Sequence, residues 1–136
     1  MHQRQLVIKA PRQGLFEITA SIAEVVQQSQ ISRGLCHLFV QHTSASLLIQ
    51  ENADPSARAD LENFFERLAN SHSHLFTHTD EGPDDMPSHI KSALTQTSLT
   101  IPVLDGHLGL GTWQGIYLWE HRIQLPPRRL CVSVFG

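Results

Sequence analysis

The feature that most constrains this chain is the order of its apolar periods. From Leu35 to His42 the apolar residues alternate, with Cys36, Leu38 and Val40 on one side and Leu35, His37 and Phe39 on the other, as a half-buried strand requires. A second alternating run, Ser44 to Gln50, follows almost at once. Three more strand patterns close the chain at Ser98 to Leu104, Thr112 to His121 and Arg129 to Phe135. They are separated by Gly106, Gly109 and Gly111 and by Pro126-Pro127. Near the start, Arg4 to Ala10 and Leu15 to Ile18 predict a hairpin around Pro11-Arg12-Gln13-Gly14.

Helical periods fall between these runs. Ile18, Ile22, Val25 and Val26 share one helix face. Asp54-Pro55 is a helix start, since Asp caps free N–H groups and Pro loses nothing at the first position; Leu61, Phe64, Phe65 and Leu68 then mark a packing face. Asp85 to Gln96 predicts a third helix packed through Ile90, Ala93 and Leu94. The predicted order is β-β-α-β-β-α-α-β-β-β. Strands in runs, without regular β-α alternation, give an α+β class with a mostly antiparallel sheet or sandwich. At 136 residues the chain fits one domain, 1–136, because a core of this size already buries roughly two thirds of the unfolded surface.

Charge narrows the function classes. A net charge of −3 and a basic run no longer than Arg128-Arg129 argue against nucleic acid as a partner. No stretch approaches the roughly twenty apolar residues of a membrane span, and Met1 to Gln5 lacks the pattern of an export signal, so a soluble cytoplasmic protein is expected. Cys36 and Cys131 stand alone in apolar segments and read as packing thiols.

Nine histidines are the compositional anomaly. His42-Thr43-Ser44-Ala45-Ser46 is polar where a strand should simply turn, and Glu51-Asn52-Ala53-Asp54 follows closely. A turn and a helix cap explain Asp54 and Ser44. The run from His78 to Asp85, ending at His89 one turn later, sets acids between imidazoles. Acids there also favour a helix N-terminus, which accounts for Asp84 and Asp85 structurally, but Asp85 shares a face with His89 and is placed to orient its ring. His42, His78 and His89 together offer the three imidazoles that some open zinc centres use, with Glu51, Glu81 and Asp85 as substitutes. In the last long strand Trp113, Tyr117 and Trp119 fall on one face, suited to a core, a subunit contact or a stacked heteroaromatic ligand.

With these segments in view, the chain resembles the YjbQ family. The likeness rests on His42-Thr43-Ser44-Ala45-Ser46, Glu51-Asn52 with Asp54-Pro55, His78 with Glu81-Gly82, Asp84 through Lys91, Ser98 through Ile101, Gly106, and Gly111 through Ile116. Pro83-Asp84-Asp85 after Gly82 and Gln50 before Glu51 depart from the commoner pattern. The resemblance implies a sandwich-like homotrimer with polar sites near subunit contacts. It also implies a secondary thiamine-phosphate synthase activity, joining a pyrimidine pyrophosphate to a thiazole phosphate with release of pyrophosphate. On that basis His42, His78 and His89 are assigned to a divalent cation, zinc or magnesium, or to the leaving group. Lys91 is assigned to phosphate, Ser44, Asn52 and Gln114 to orientation, and Glu51 or Glu81 to proton transfer. Two rival readings are a metal-dependent hydrolase of a small phosphorylated molecule and a trimeric binding protein without turnover.

Overall fold

A computed structural model describes residues 1–136. The strands are β1 (His2–Ile8), β2 (Gly14–Glu17), β3 (Gly34–Val40), β4 (Ala45–Glu51), β5 (Ser98–Leu104), β6 (His107–Leu108), β7 (Gln114–Glu120) and β8 (Arg128–Phe135). The helices are α1 (Thr19–Ser29), α2 (Pro55–Asn70) and α3 (Asp85–Leu94), with a short 3-10 turn at Ser73–Leu75. One sheet runs β1-β8-β3-β5-β6 and the other β2-β7-β4, and each ladder is antiparallel. The α+β class holds. No helix is long and apolar enough to cross a membrane.

The two sheets face a common core. Cys36, Leu38, Val40, Ile101, Val103, Leu130, Val132 and Val134 come from the first sheet, and Ala45, Leu47, Ile116 and Leu118 from the second. Ile22, Val25 and Val26 of α1 complete it, as their spacing predicts. Cys36 is buried and Cys131 half-buried, both as free thiols, and Cys131 lies on the other face of its sheet.

The expected opening hairpin does not form. β1 pairs with β8 from His2↔Val134 to Ile8↔Arg128, while β2 pairs with β7, so Pro11 to Gln13 carries the chain from one sheet to the other. A four-residue β2 closed on β1 would bury little. Against β7 it instead lays Leu15 beside Tyr117 and Trp119. A hairpin that the sequence reading passed over lies at Asp105-Gly106, where φ is 50° and 79°; two positive values in a two-residue loop match the twist of the flanking β5 and β6.

Two helices differ from their predicted faces. On α2, Leu61 and Phe65 pack on Leu15, Tyr117 and Trp119, with the Phe65 ring edge-on to Trp119 at 4.9 Å, whereas Phe64 and Leu68 are exposed. Tyr117 and Trp119 of the aromatic row are therefore covered by α2 and are not free to stack a ligand, whereas Trp113, just before β7, is exposed. On α3 the inversion is larger: Leu94 is exposed, and the buried residues are Asp85, Pro87, Ser88 and Lys91. The helix turns its polar side inward.

A candidate histidine–carboxylate site

Asp85, the first residue of α3, is 1 % exposed. Its Oδ2 lies 2.8 Å from His78 Nε2 and 3.1 Å from His89 Nε2. The Asp85–His89 contact is the one-turn spacing of a helix; His78 arrives from the connection before it. Asp85 Oδ1 is held by the Arg122 guanidinium. Arg122 also donates from Nε to Asp84 Oδ2 at 3.0 Å and from Nη2 to the Glu81 carbonyl at 2.8 Å. Burial alone would raise the Asp85 pKa. The His78 hydrogen bond and the charges of His89 and Arg122 outweigh it and hold the group below the usual carboxylate range. Asp84 is held low in the same way, burial being opposed by the Ile123 N–H and Arg122.

His89 is gripped from behind as well, its Nδ1 2.9 Å from the Thr43 carbonyl. His42 stands nearby in a different state: its Nε2 accepts the Arg129 N–H at 2.8 Å. Burial, then the positive charges of Arg128 and Arg129, lower its pKa and keep the ring neutral near pH 7. Between these rings opens a cleft of about 470 Å³, walled by Phe39, Val40, His42, Thr43, His89 and Ala93. Phe39, Val40 and Ala93 are its apolar residues, and Gln41, Ser92 and Thr97 add polar groups to the two imidazoles.

The other residues singled out from the sequence divide. Glu81 lies at the rim of the cluster, its carboxylate 4.0 Å from Arg122. Ser44 contributes its carbonyl to Arg128. Lys91 sits on the inner side of α3, paired with Glu66 at 2.6 Å and away from the histidine cleft. Glu51, Asn52 and Gln114 are at the far end of the β4–β7 ladder; at about 3.3 Å per residue, Glu51 is roughly 20 Å from Ala45. There they serve the local fold. Gln114 Oε1 accepts the Gly111 N–H at 2.8 Å, and Asn52 donates to Glu17 Oε2 at 3.2 Å. A Cβ on Gly115 would lie 2.8 Å from that same oxygen and 2.9 Å from Asn52 Cβ, so a side chain here would displace the Asn52–Glu17 pair. Within one chain, His78, Asp85 and His89 converge, His42 adjoins them across the cleft, and the Glu51 group stands apart.

Sequence reasoning missed Arg122 and the buried set around it. Glu120 is fully buried, and Arg128 donates to it from Nε at 2.8 Å and from Nη2 at 2.5 Å. His121, also buried, meets Ser46 Oγ at 2.9 Å. A signal was present, since Glu120-His121-Arg122 places three ionisable residues directly after an apolar strand.

The description "UPF0047 protein YjbQ-like" names the family whose sequence model matches residues 4–136. Among curated relatives, the UPF0047 protein sll1880 of Synechocystis is 51 % identical over 99 % of this chain and 92 % of its own length. The UPF0047 protein YjbQ of Escherichia coli O157:H7 is 43 % identical over 99 % of this chain and 98 % of its own. A crystal structure of a YjbQ/UPF0047 family protein from Clostridium acetobutylicum superposes with a TM-score of 0.86 at 29 % identity, covering 97 % of this chain and 99 % of the other. With near-complete coverage in both directions, the chain belongs to the UPF0047 family of YjbQ-like proteins.

Proposed function

We propose that this chain is a thiamine-phosphate synthase-like transferase, acting in the cytoplasm as a homotrimer on small phosphorylated substrates. The observation that carries the reading is the cleft of about 470 Å³ bounded by His42 and His89, with the His78–Asp85 pair beside it. Phe39, Val40 and Ala93 provide a wall for the pyrimidine ring. The pyrophosphate lies toward the imidazoles, where the His42 Nδ1–H, left free because Nε2 is taken by the Arg129 N–H, stabilises its charge as the C–O bond breaks and the thiazole nitrogen takes its place on that carbon. Arg122 contributes by fixing Asp85, since its own donors are already used by Asp84, Asp85 and Glu81. Lys91, held by Glu66, is not assigned to phosphate in this reading. Glu51, Asn52 and Gln114 act at the cleft only if a neighbouring subunit supplies them.

The His78–Asp85–His89 cluster, half open to solvent, also favours hydrolysis of a small phosphorylated molecule at the same place as a second reading. One assay separates them. Purified protein given both substrates and a divalent cation should form thiamine phosphate and pyrophosphate in equal amounts, with kcat reduced at least tenfold in His89→Ala. Inorganic phosphate or pyrophosphate released without thiamine phosphate would select the hydrolase, and no turnover of either kind would remove both enzymatic readings.

A further inference from the structure

His89 Nδ1 faces the Thr43 carbonyl, and a carbonyl only accepts, so Nδ1 carries the proton. In the doubly protonated ring Nε2 donates to Asp85 Oδ2, 3.1 Å away; in the neutral ring it presents a lone pair there, open to a cation in place of that proton. The same carboxylate oxygen has His78 Nε2 on its other side at 2.8 Å. All three atoms fall within 4.8 Å of one another. A cation bound among them turns the opposed lone pairs into ligand bonds. We propose that His78 Nε2, Asp85 Oδ2 and His89 Nε2 form a mononuclear centre for a borderline first-row divalent cation, of which Zn²⁺ is the type.

Two of the three ligands, His89 and Asp85, are fixed from behind by a second hydrogen bond, as metal ligands usually are. The Thr43 carbonyl sets the tautomer and plane of His89, and Arg122 holds Asp85 Oδ1 so that Oδ2 points at the rings. Two imidazoles and one carboxylate favour Zn²⁺, Fe²⁺ or Mn²⁺ over Mg²⁺, which prefers oxygen ligands and retains its water. Three protein ligands leave positions open, and the half-exposed His78 puts those positions toward solvent, as a reactive centre needs. His42 is not in the set. Its Nε2 lone pair is taken by the Arg129 N–H, so in the neutral ring Nδ1 bears the proton and has nothing to coordinate with. Asp85 thus replaces His42 in the three-histidine set that the sequence suggests.

This centre deepens the transferase reading, yet it is tested by metal uptake alone. Full-length protein stripped with chelator and dialysed is titrated with Zn²⁺ by calorimetry and with Co²⁺ by visible absorption. The expected result is one equivalent per chain at micromolar affinity or better, with Co²⁺ bands in the visible range and no comparable uptake of Mg²⁺. His78→Ala and His89→Ala should each weaken Zn²⁺ at least tenfold, while His107→Ala, which tests stray histidine binding, should not. Undiminished uptake by a folded His78→Ala/His89→Ala double variant, verified by circular dichroism, would overturn the centre, as would a wild-type protein that takes up no Zn²⁺. Zn²⁺ bound without formation of thiamine phosphate upholds the centre and removes the transferase. Product made by protein that binds no Zn²⁺ does the reverse.

Discussion

At the scale of single residues, the unusual feature is how many ionisable groups are buried around the start of α3 and the end of β7. Glu120 and Arg128 are tolerable there because each is multiply bonded: Glu120 also accepts the Arg122 N–H, and Arg128 also donates to the Ser44 carbonyl. His121 differs, because burial makes it a neutral ring. Burial first, then Lys91 and Arg128, push its pKa down to about 3 from 6.5. Between those values the unfolded chain takes a proton that the folded chain refuses. Stability from this group is therefore complete above pH 6.5 and lost as pH falls below it, at up to about 1.4 kcal/mol per pH unit. Urea unfolding at pH 7 and pH 5 should show a clear fall in the wild-type midpoint and a flatter one in His121→Gln. His42, lowered in the same direction, leaves a residual slope. Identical slopes in both proteins would show that His121 is not the group responsible.

Among the elements, α1 and α2 show where a helical period suffices and where it does not. The stripe of α1 ends in the core shared by both sheets, so Ile22→Ala, at a fully buried position, should cost about 2–5 kcal/mol in chemical denaturation. Phe64 of α2 carries the same apolar signal but is 63 % exposed, and Phe64→Ala should change stability by no more than about 0.5 kcal/mol. A large effect at Phe64 would mean that α2 is rotated from the register described. The period alone gives a stripe wide enough for four residues. The narrow seat on β7, already filled by Leu61 and Phe65 against Trp119, accepts two. On α3 the period misleads outright: the buried side is the polar one, because Asp85, Ser88 and Lys91 find partners in Arg122, the Asp85 carbonyl and Glu66.

For the whole molecule, the outer face of the first sheet has no helix over it. Leu35 and Phe39 on β3 and Phe135 on β8 are each more than two-fifths exposed, and Leu35 and Phe135 are direct cross-strand partners. An apolar face of this kind on a small domain calls for a partner surface, in keeping with the proposed trimer. Sedimentation of the wild-type protein should give the mass of three chains, and Phe39→Asp, which puts a charge on that face, should give the mass of one. A monomeric wild type would leave the face without its proposed function and the Glu51 group without a route to the cleft.

What the sequence determined by itself was local and periodic: the α+β class, the strand that begins near Leu35, though it ends at Val40 and leaves His42 outside it, the Asp54-Pro55 helix start, and the placing of Asp85 and His89 one turn apart. These follow from 3.6- and 2-residue repeats and from capping chemistry, which act over a few residues. Only the tertiary structure decided that β1 and β2 join different sheets, that Arg122 reaches back to Asp85, and that His42 gives its lone pair to the Arg129 N–H. It likewise set Glu51, Asn52 and Gln114 at the far end of β4. The reason is physical: strand pairing and side-chain partners are chosen by which surfaces can be buried together, and residues distant in the chain settle that choice jointly.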